Sequence, residues 1–158
     1  MKKNNKGFTL VELIVVLVIL AILAAILVPA LLGWIDKARE KSVASNAEAA
    51  YVAAQGLATE YYGVQTDIDK VKTANVQAYA SAGKIAFLTD IAEPFKTSID
   101  TTKGATGKEA CKITKFTYTN KEYKAVWENG NWTITKEGDS ALTDVTPITN
   151  TKDMTGVN

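Results

Sequence analysis

FTLVELIVVLVILAILAAILVPALLGWI, residues 8–35, decides the architecture. Its later part, Leu13 to Ile35, runs 23 residues without a charge and is mostly Leu, Ile, Val and Ala. At about 1.5 Å per residue this is a helix of roughly 35 Å, long enough to cross a bilayer. Lys2, Lys3 and Lys6 precede it. Basic residues beside a span favour the cytoplasmic side, so the remainder of the chain is expected to face out.

Three readings of this start compete. A secretory signal peptide fits the basic leader, with Val28-Pro29-Ala30 as a small-residue cleavage site, but the apolar run exceeds the usual apolar core of about 7–15 residues. A plain single-pass anchor fits the length. Neither explains Glu12, an acid set between Phe8-Thr9-Leu10-Val11 and Leu13-Ile14-Val15. A charge near the middle of a span costs on the order of 2.5–3.5 kcal/mol, less near its end, and buried charges persist when a partner neutralises them. Lys2, Lys3 and Lys6 are candidates in the uncut chain. A cut after Gly7 creates another, the α-amine of Phe8. Within one helix that amine is four residues from Glu12. In a stack of helices it could come from a neighbouring chain.

Lys6-Gly7-Phe8-Thr9-Leu10-Val11-Glu12 and the apolar run after it resemble the class III leader and N-terminal helix of type IV prepilins. The resemblance implies cleavage between Gly7 and Phe8 by a membrane prepilin peptidase, N-methylation of Phe8, and pairing of Glu12 with a neighbour's N-terminus during assembly. The seven-residue leader and the new N-terminal Phe resemble the type IVa class. Many Gram-negative major pilins fix the C-terminal region with a disulfide, which a chain with the single cysteine Cys111 cannot form. That departure points to a Gram-positive, clostridial pilin.

Pro29 lies inside the helix, where proline removes one backbone hydrogen bond and crowds the preceding turn. It reads either as a tolerated membrane-helix proline or, by the resemblance, as a kink that bends or melts on packing. Beyond the membrane the helix is expected to continue. Val43, Ala47, Ala50, Ala54, Leu57 and Tyr61 step by three and four, one Ala-rich stripe suited to a sheet, and Gly63 is a plausible stop. A single helix from Phe8 to Tyr62 would run roughly 80 Å. Its apolar end would then project from the globular part, covered by other chains or by lipid.

Six segments follow: 1–7 a cleaved leader, 8–35 a membrane or filament-core helix, 36–63 its amphipathic half, 64–110 a connecting αβ segment, 111–137 an antiparallel meander, and 138–158 a loop or tail. Asp67 to Tyr79 suggests a short helix with Thr66 as N-cap, Ile68 and Val71 inward, and Gly83 beyond its end. Lys84 to Leu88 fits strand or helix, and Thr101 to Gly107 reads as loop. Phe116 and Tyr118 alternate with Thr, Tyr123, Ala125 and Trp127 share a face, Asn129-Gly130 signals a hairpin, and Trp132 and Ile134 return. The fold expected is α+β, a pilin-like long helix laid on a small antiparallel sheet.

The residue inventory excludes much chemistry. The 158 residues contain no His, which removes a histidine metal site or base, and no phosphate-binding loop. Cys111 reads as a buried or half-buried strand residue rather than a reactive thiol. Asp67 and Asp69 with Asp90 or Asp100 lack the spacing of a calcium loop. Asn131-Trp132-Thr133 matches a glycosylation triplet but is better explained by the turn. No catalytic residue, cofactor, metal or small-molecule substrate is expected. Trimming removes Lys2, Lys3 and Lys6 from the 18 basic residues, leaving 15 against 17 acidic ones, which weighs against nucleic acid as a partner.

The expected function is therefore structural. The leading reading is a major pilin, polymerised into an extracellular type IV pilus for adhesion, aggregation or twitching motility, after membrane residence and with the help of prepilin peptidase, an assembly platform and its ATPase. The alternative is a pseudopilin or minor pilin of a secretion or DNA-uptake system. A membrane-anchored enzyme or binding domain that never polymerises leaves Glu12 and the Gly7–Phe8 junction without a reason.

Overall fold

The computed structural model describes residues 7–137. The expected tail, 138–158, and all of the leader except Gly7 lie outside the described residues. Helix α1 spans Leu10–Val64, 55 residues, and passes through Pro29 without interruption. It starts two residues later and ends two residues later than the sequence suggests, with Gly63 inside it.

The chain divides into two compact units between Arg39 and Glu40. In the first, the described residues beyond Thr9 are all helix, and none is buried. Large apolar side chains from Leu10 to Ile35 range from 47% exposed at Ile35 to 74% at Leu10. An uncovered apolar surface this continuous marks an interaction site.

The second unit is α+β. The last turns of α1 lay Val43, Ala47, Ala50, Ala54 and Leu57 into a core with Ile85, Phe95, Ile99, Ile113, Phe116, Tyr118, Tyr123 and Ala125. Ala47, Ala50, Ala54 and Ala58 are fully buried. Ala47, Ala50 and Ala54 present a flat face to the sheet, and Phe116 and Tyr118 fill the space between and are themselves fully buried.

The sheet has four antiparallel strands in the order β1 (Lys96–Thr101), β2 (Ile113–Thr119), β3 (Tyr123–Glu128) and β4 (Asn131–Lys136). Register puts the core-facing residues in rows. Ile99 opposes Phe116, Phe116 opposes Trp127, and Trp127 opposes Trp132. Tyr51 of α1 lies against three of these rings, 4.5 Å from Trp127, 5.7 Å from Phe116 and 6.2 Å from Trp132. Between β3 and β4 the turn needs positive φ at both central positions, and Asn129 (53°) and Gly130 (82°) supply it.

The connecting segment departs from the sequence reading. The helix expected over Asp67–Tyr79 breaks into a 3-10 turn, Ile68–Lys70, and helix α2, Thr73–Tyr79. Tertiary hydrogen bonds pull Val71 and Lys72 out of helical conformation: the Gly107 amide donates to the Val71 carbonyl at 3.0 Å, and Lys72 bridges Thr106. Val71 is fully buried, but Ile68 is 52% exposed rather than inward. Asp67, not Thr66, caps the turn. Gly83 falls inside a further helix, α3 (Ala82–Leu88), which also settles Lys84–Leu88 as helical. Strand β1 has no counterpart in the sequence reading. As an edge strand it turns only Ile99 and Thr101 fully inward, which leaves a weak alternation. Thr101 closes that strand, and Gly107 opens a second 3-10 turn, Gly107–Cys111. At Gly107 φ is +60° and a Cβ would meet Ile68 Cγ2 at 2.9 Å, so only glycine fits without strain.

Candidate functional site

Three of the four residues singled out in the sequence, Gly7, Phe8 and Glu12, gather at the start of α1. Gly7 and Phe8 precede the helix, and Phe8 is 88% exposed. Pro29 stands 17 residues past Glu12, roughly 26 Å along the axis, and belongs to a different part of the helix. There it withdraws the amide that would bond the Ala25 carbonyl, yet the helix continues.

The first turn of a helix leaves four amides without partners. Here Thr9 and Glu12 answer that need reciprocally. The Glu12 amide donates to the Thr9 hydroxyl at 3.3 Å, and the Thr9 amide donates to Glu12 Oε2 at 2.8 Å. The Thr9 hydroxyl also donates to Glu12 Oε2 at 2.6 Å, a short, charge-assisted bond. This is a capping box, Thr-x-x-Glu directly before an apolar run. The sequence contained that signal in Thr9-Leu10-Val11-Glu12, and the reading of Glu12 as a charge in need of a cation passed over it.

The box changes what Glu12 means. It occupies the third position of the helix, not its interior, and the positive end of the helix dipole favours its charge. Two hydrogen bonds from neutral donors satisfy lone pairs but leave a full negative charge. Both fall on Oε2. An arriving cation could therefore engage Oε1 while the box stays closed.

Elsewhere the candidates dissolve into structure. Asp67 accepts from the Asp69 amide at 3.2 Å and pairs with Lys70 at 3.1 Å. Among the described residues no cluster of three His, Cys, Asp or Glu side chains is placed to hold a metal ion. Cys111 is buried in the 3-10 turn before β2 rather than in a strand, and burial pushes its thiol pKa up, away from the reactive thiolate. Asn131 opens β4, its side chain donating to the Asn129 carbonyl at 3.4 Å.

The head contains one polar hub that the sequence did not reveal. Glu93, in the loop between α3 and β1, accepts from Asn46 at 2.9 Å, from the Tyr118 hydroxyl at 3.2 Å and from Asn120 at 3.2 Å. One carboxylate thereby ties α1, β2 and the β2–β3 turn together. Asn120 is 5% exposed, and its Oδ1 accepts from the amides of Glu122 and Tyr123. These contacts lie far apart in sequence and leave no periodic trace.

Residues 2–28 match the model described as the prokaryotic N-terminal methylation motif. No curated protein and no solved structure matches the chain. The matched stretch contains the Gly7–Phe8 junction, the capping box and most of the apolar run. It is the motif of a prepilin-peptidase substrate of pilin or pseudopilin type.

Proposed function

We propose that this chain, whose residues 2–28 carry a prepilin-type methylation motif, is the repeating structural subunit of an extracellular type IV pilus. Before assembly it resides in the membrane through the first half of α1, with the α+β head outside. Prepilin peptidase cuts between Gly7 and Phe8, and the Phe8 amine is methylated. The trimmed chain leaves the bilayer and packs by its apolar helix against other copies, driven by assembly machinery with its own ATPase.

The observation that supports this best is the exposed apolar half of α1 with one acid at its start. Lipid covers such a surface in a membrane, and neighbouring helices cover it in a filament. In both places Glu12 brings a carboxylate to the edge of that surface. A carboxylate at the edge of an apolar medium costs less than one at its middle, but it still gains from a cationic partner. The α-amine released at Phe8 of an adjacent copy offsets that charge through Oε1, favouring end-to-end registration of subunits. The same amine is unavailable in the uncut chain, so trimming and assembly are linked by charge.

The test is the intact mass of the protein sheared from the cell surface. A chain beginning at a methylated Phe8, abundant in the filament fraction, supports the proposal. A chain beginning at Met1 or after Ala30 defeats it. A correctly trimmed chain that is scarce in sheared filaments would instead assign it to the pseudopilins or minor pilins, which share this motif. Surface attachment, aggregation and twitching are the activities proposed for the filament, and a deletion strain tests each.

A further inference from the structure

Trp34 is the only aromatic residue between Phe8 and Tyr51. It stands at the end of the apolar run, 72% exposed, with the Lys37 ammonium 5.8 Å from its ring centroid. After Ile35, five of the six residues 36–41 are charged: Asp36, Lys37, Arg39, Glu40 and Lys41. Toward the N-terminus no charge occurs until Glu12. Trp34 and Glu12 are 22 positions apart, about 33 Å on an α-helix, close to the roughly 30 Å of a bilayer's hydrocarbon. The helix therefore carries a polar marker at each end of one membrane thickness.

An indole is flat, apolar and able to donate one hydrogen bond, which suits it to the boundary between acyl chains and headgroups. A lysine one turn further out buries its stem and sends its ammonium toward phosphate. We propose that Trp34 and Lys37 form a clamp on glycerophospholipid in the outer boundary of the bilayer, the indole N–H at the ester carbonyls and the ammonium at the phosphate. The clamp fixes how deep α1 sits before assembly and holds Glu12 at the opposite boundary, within reach of the peptidase side. This rests on the reading that α1 spans a membrane.

The test uses the full-length chain in phosphatidylcholine vesicles with bromine near the headgroup end or at the chain ends of the lipids. Trp127 and Trp132 also emit, so the Trp34 signal is taken as the difference between the wild type and Trp34→Phe, a change on an exposed surface that leaves the head intact. A second variant, Leu20→Trp with Trp34→Phe, reports the middle of the run. The clamp predicts quenching of Trp34 that is strongest with bromine near the headgroups, the reverse order for the Leu20→Trp probe, and a spread of the Trp34 signal to greater depth in Lys37→Ala. Strongest quenching of Trp34 by chain-end bromine, or none while the Leu20→Trp probe is quenched, overturns the clamp and leaves the spanning helix standing. No quenching of either probe overturns both.

Discussion

Thr9 and Glu12 hold each other in both directions, the Thr9 hydroxyl donating to Glu12 Oε2 at 2.6 Å while it accepts from the Glu12 amide at 3.3 Å. The acid at this position thus has two separable duties, to cap the helix and to carry a charge. Glutamine can fill the same capping position but has no charge. Glu12→Gln should therefore keep helix content and allow trimming, yet give few filaments or none. Glu12→Ala should lose the filaments as well and also weaken the helix start, because the Thr9 amide and hydroxyl lose their acceptor. The comparison is read from the mature mass and from filament yield in the sheared fraction. Normal fibres from Glu12→Gln would mean that the cap suffices and that charge pairing is not needed.

Gly7 offers a second separation, between folding and recognition. A Cβ at Gly7 meets nothing within 4 Å, and the residue does not adopt positive φ. Replacing it should leave the folded chain undisturbed. Gly7→Ser or a larger residue should nonetheless stall trimming, because the peptidase must fit the backbone on both sides of the cut. The expected product is a folded chain at precursor mass, with an unchanged unfolding midpoint. Release of normal mature protein would show that the junction lies elsewhere.

Glu93 gives a prediction confined to the head. Removing its carboxylate takes the acceptor from three donors, Asn46, Tyr118 and Asn120, of which Tyr118 and Asn120 are buried. A buried group left without its bond costs about 1–3 kcal/mol. Glu93→Ala should lower the stability of the head by that order, read by urea unfolding of the full chain in detergent. Glu93→Gln should cost less, since an amide can still accept from one or two of the donors. Equal stability of Glu93→Ala and wild type would show that the hub carries no net weight.

The sequence was most informative where periodicity is long or chemistry is rare. The Ala47, Ala50, Ala54, Leu57 stripe and the Phe116, Tyr118, Ala125 alternation define the helix–sheet core, because each follows the geometric repeat of its element. Strand β1 was not legible because an edge strand with only Ile99 and Thr101 fully inward has almost no repeat to read. The break at Val71 and Lys72 was not legible because its cause, the Gly107 amide and Thr106, lies some 35 residues away. At the candidate site the residue types were visible and one local relation was missed. Glu12 looked like a stranded charge until its bonds to Thr9 showed a helix start that accounts for part of its presence.

Tyr118 makes the head sensitive to alkali. Its hydroxyl pKa is raised, first by burial and then by the negative charge of Glu93, to which it donates at 3.2 Å. Ionising it would set a phenolate beside a carboxylate in a desolvated corner. In the unfolded chain the same group ionises near pH 10. The folded form therefore holds a proton that the unfolded form gives up, and stability must fall as pH rises past about 10. The limiting slope from one such group is about 1.4 kcal/mol per pH unit. Below that pH the contribution is fully present and flat. Tyr51 and Tyr79 are shifted in the same direction, so they add to the slope. Tyr118→Phe should flatten the alkaline limb in part, while lowering stability at neutral pH by about 1 kcal/mol because Glu93 loses a donor. Urea midpoints followed by circular dichroism from neutral to strongly alkaline pH measure both effects. If the variant keeps the full alkaline slope, the sensitivity belongs to the other tyrosines, and Tyr118 is not held protonated by its place against Glu93.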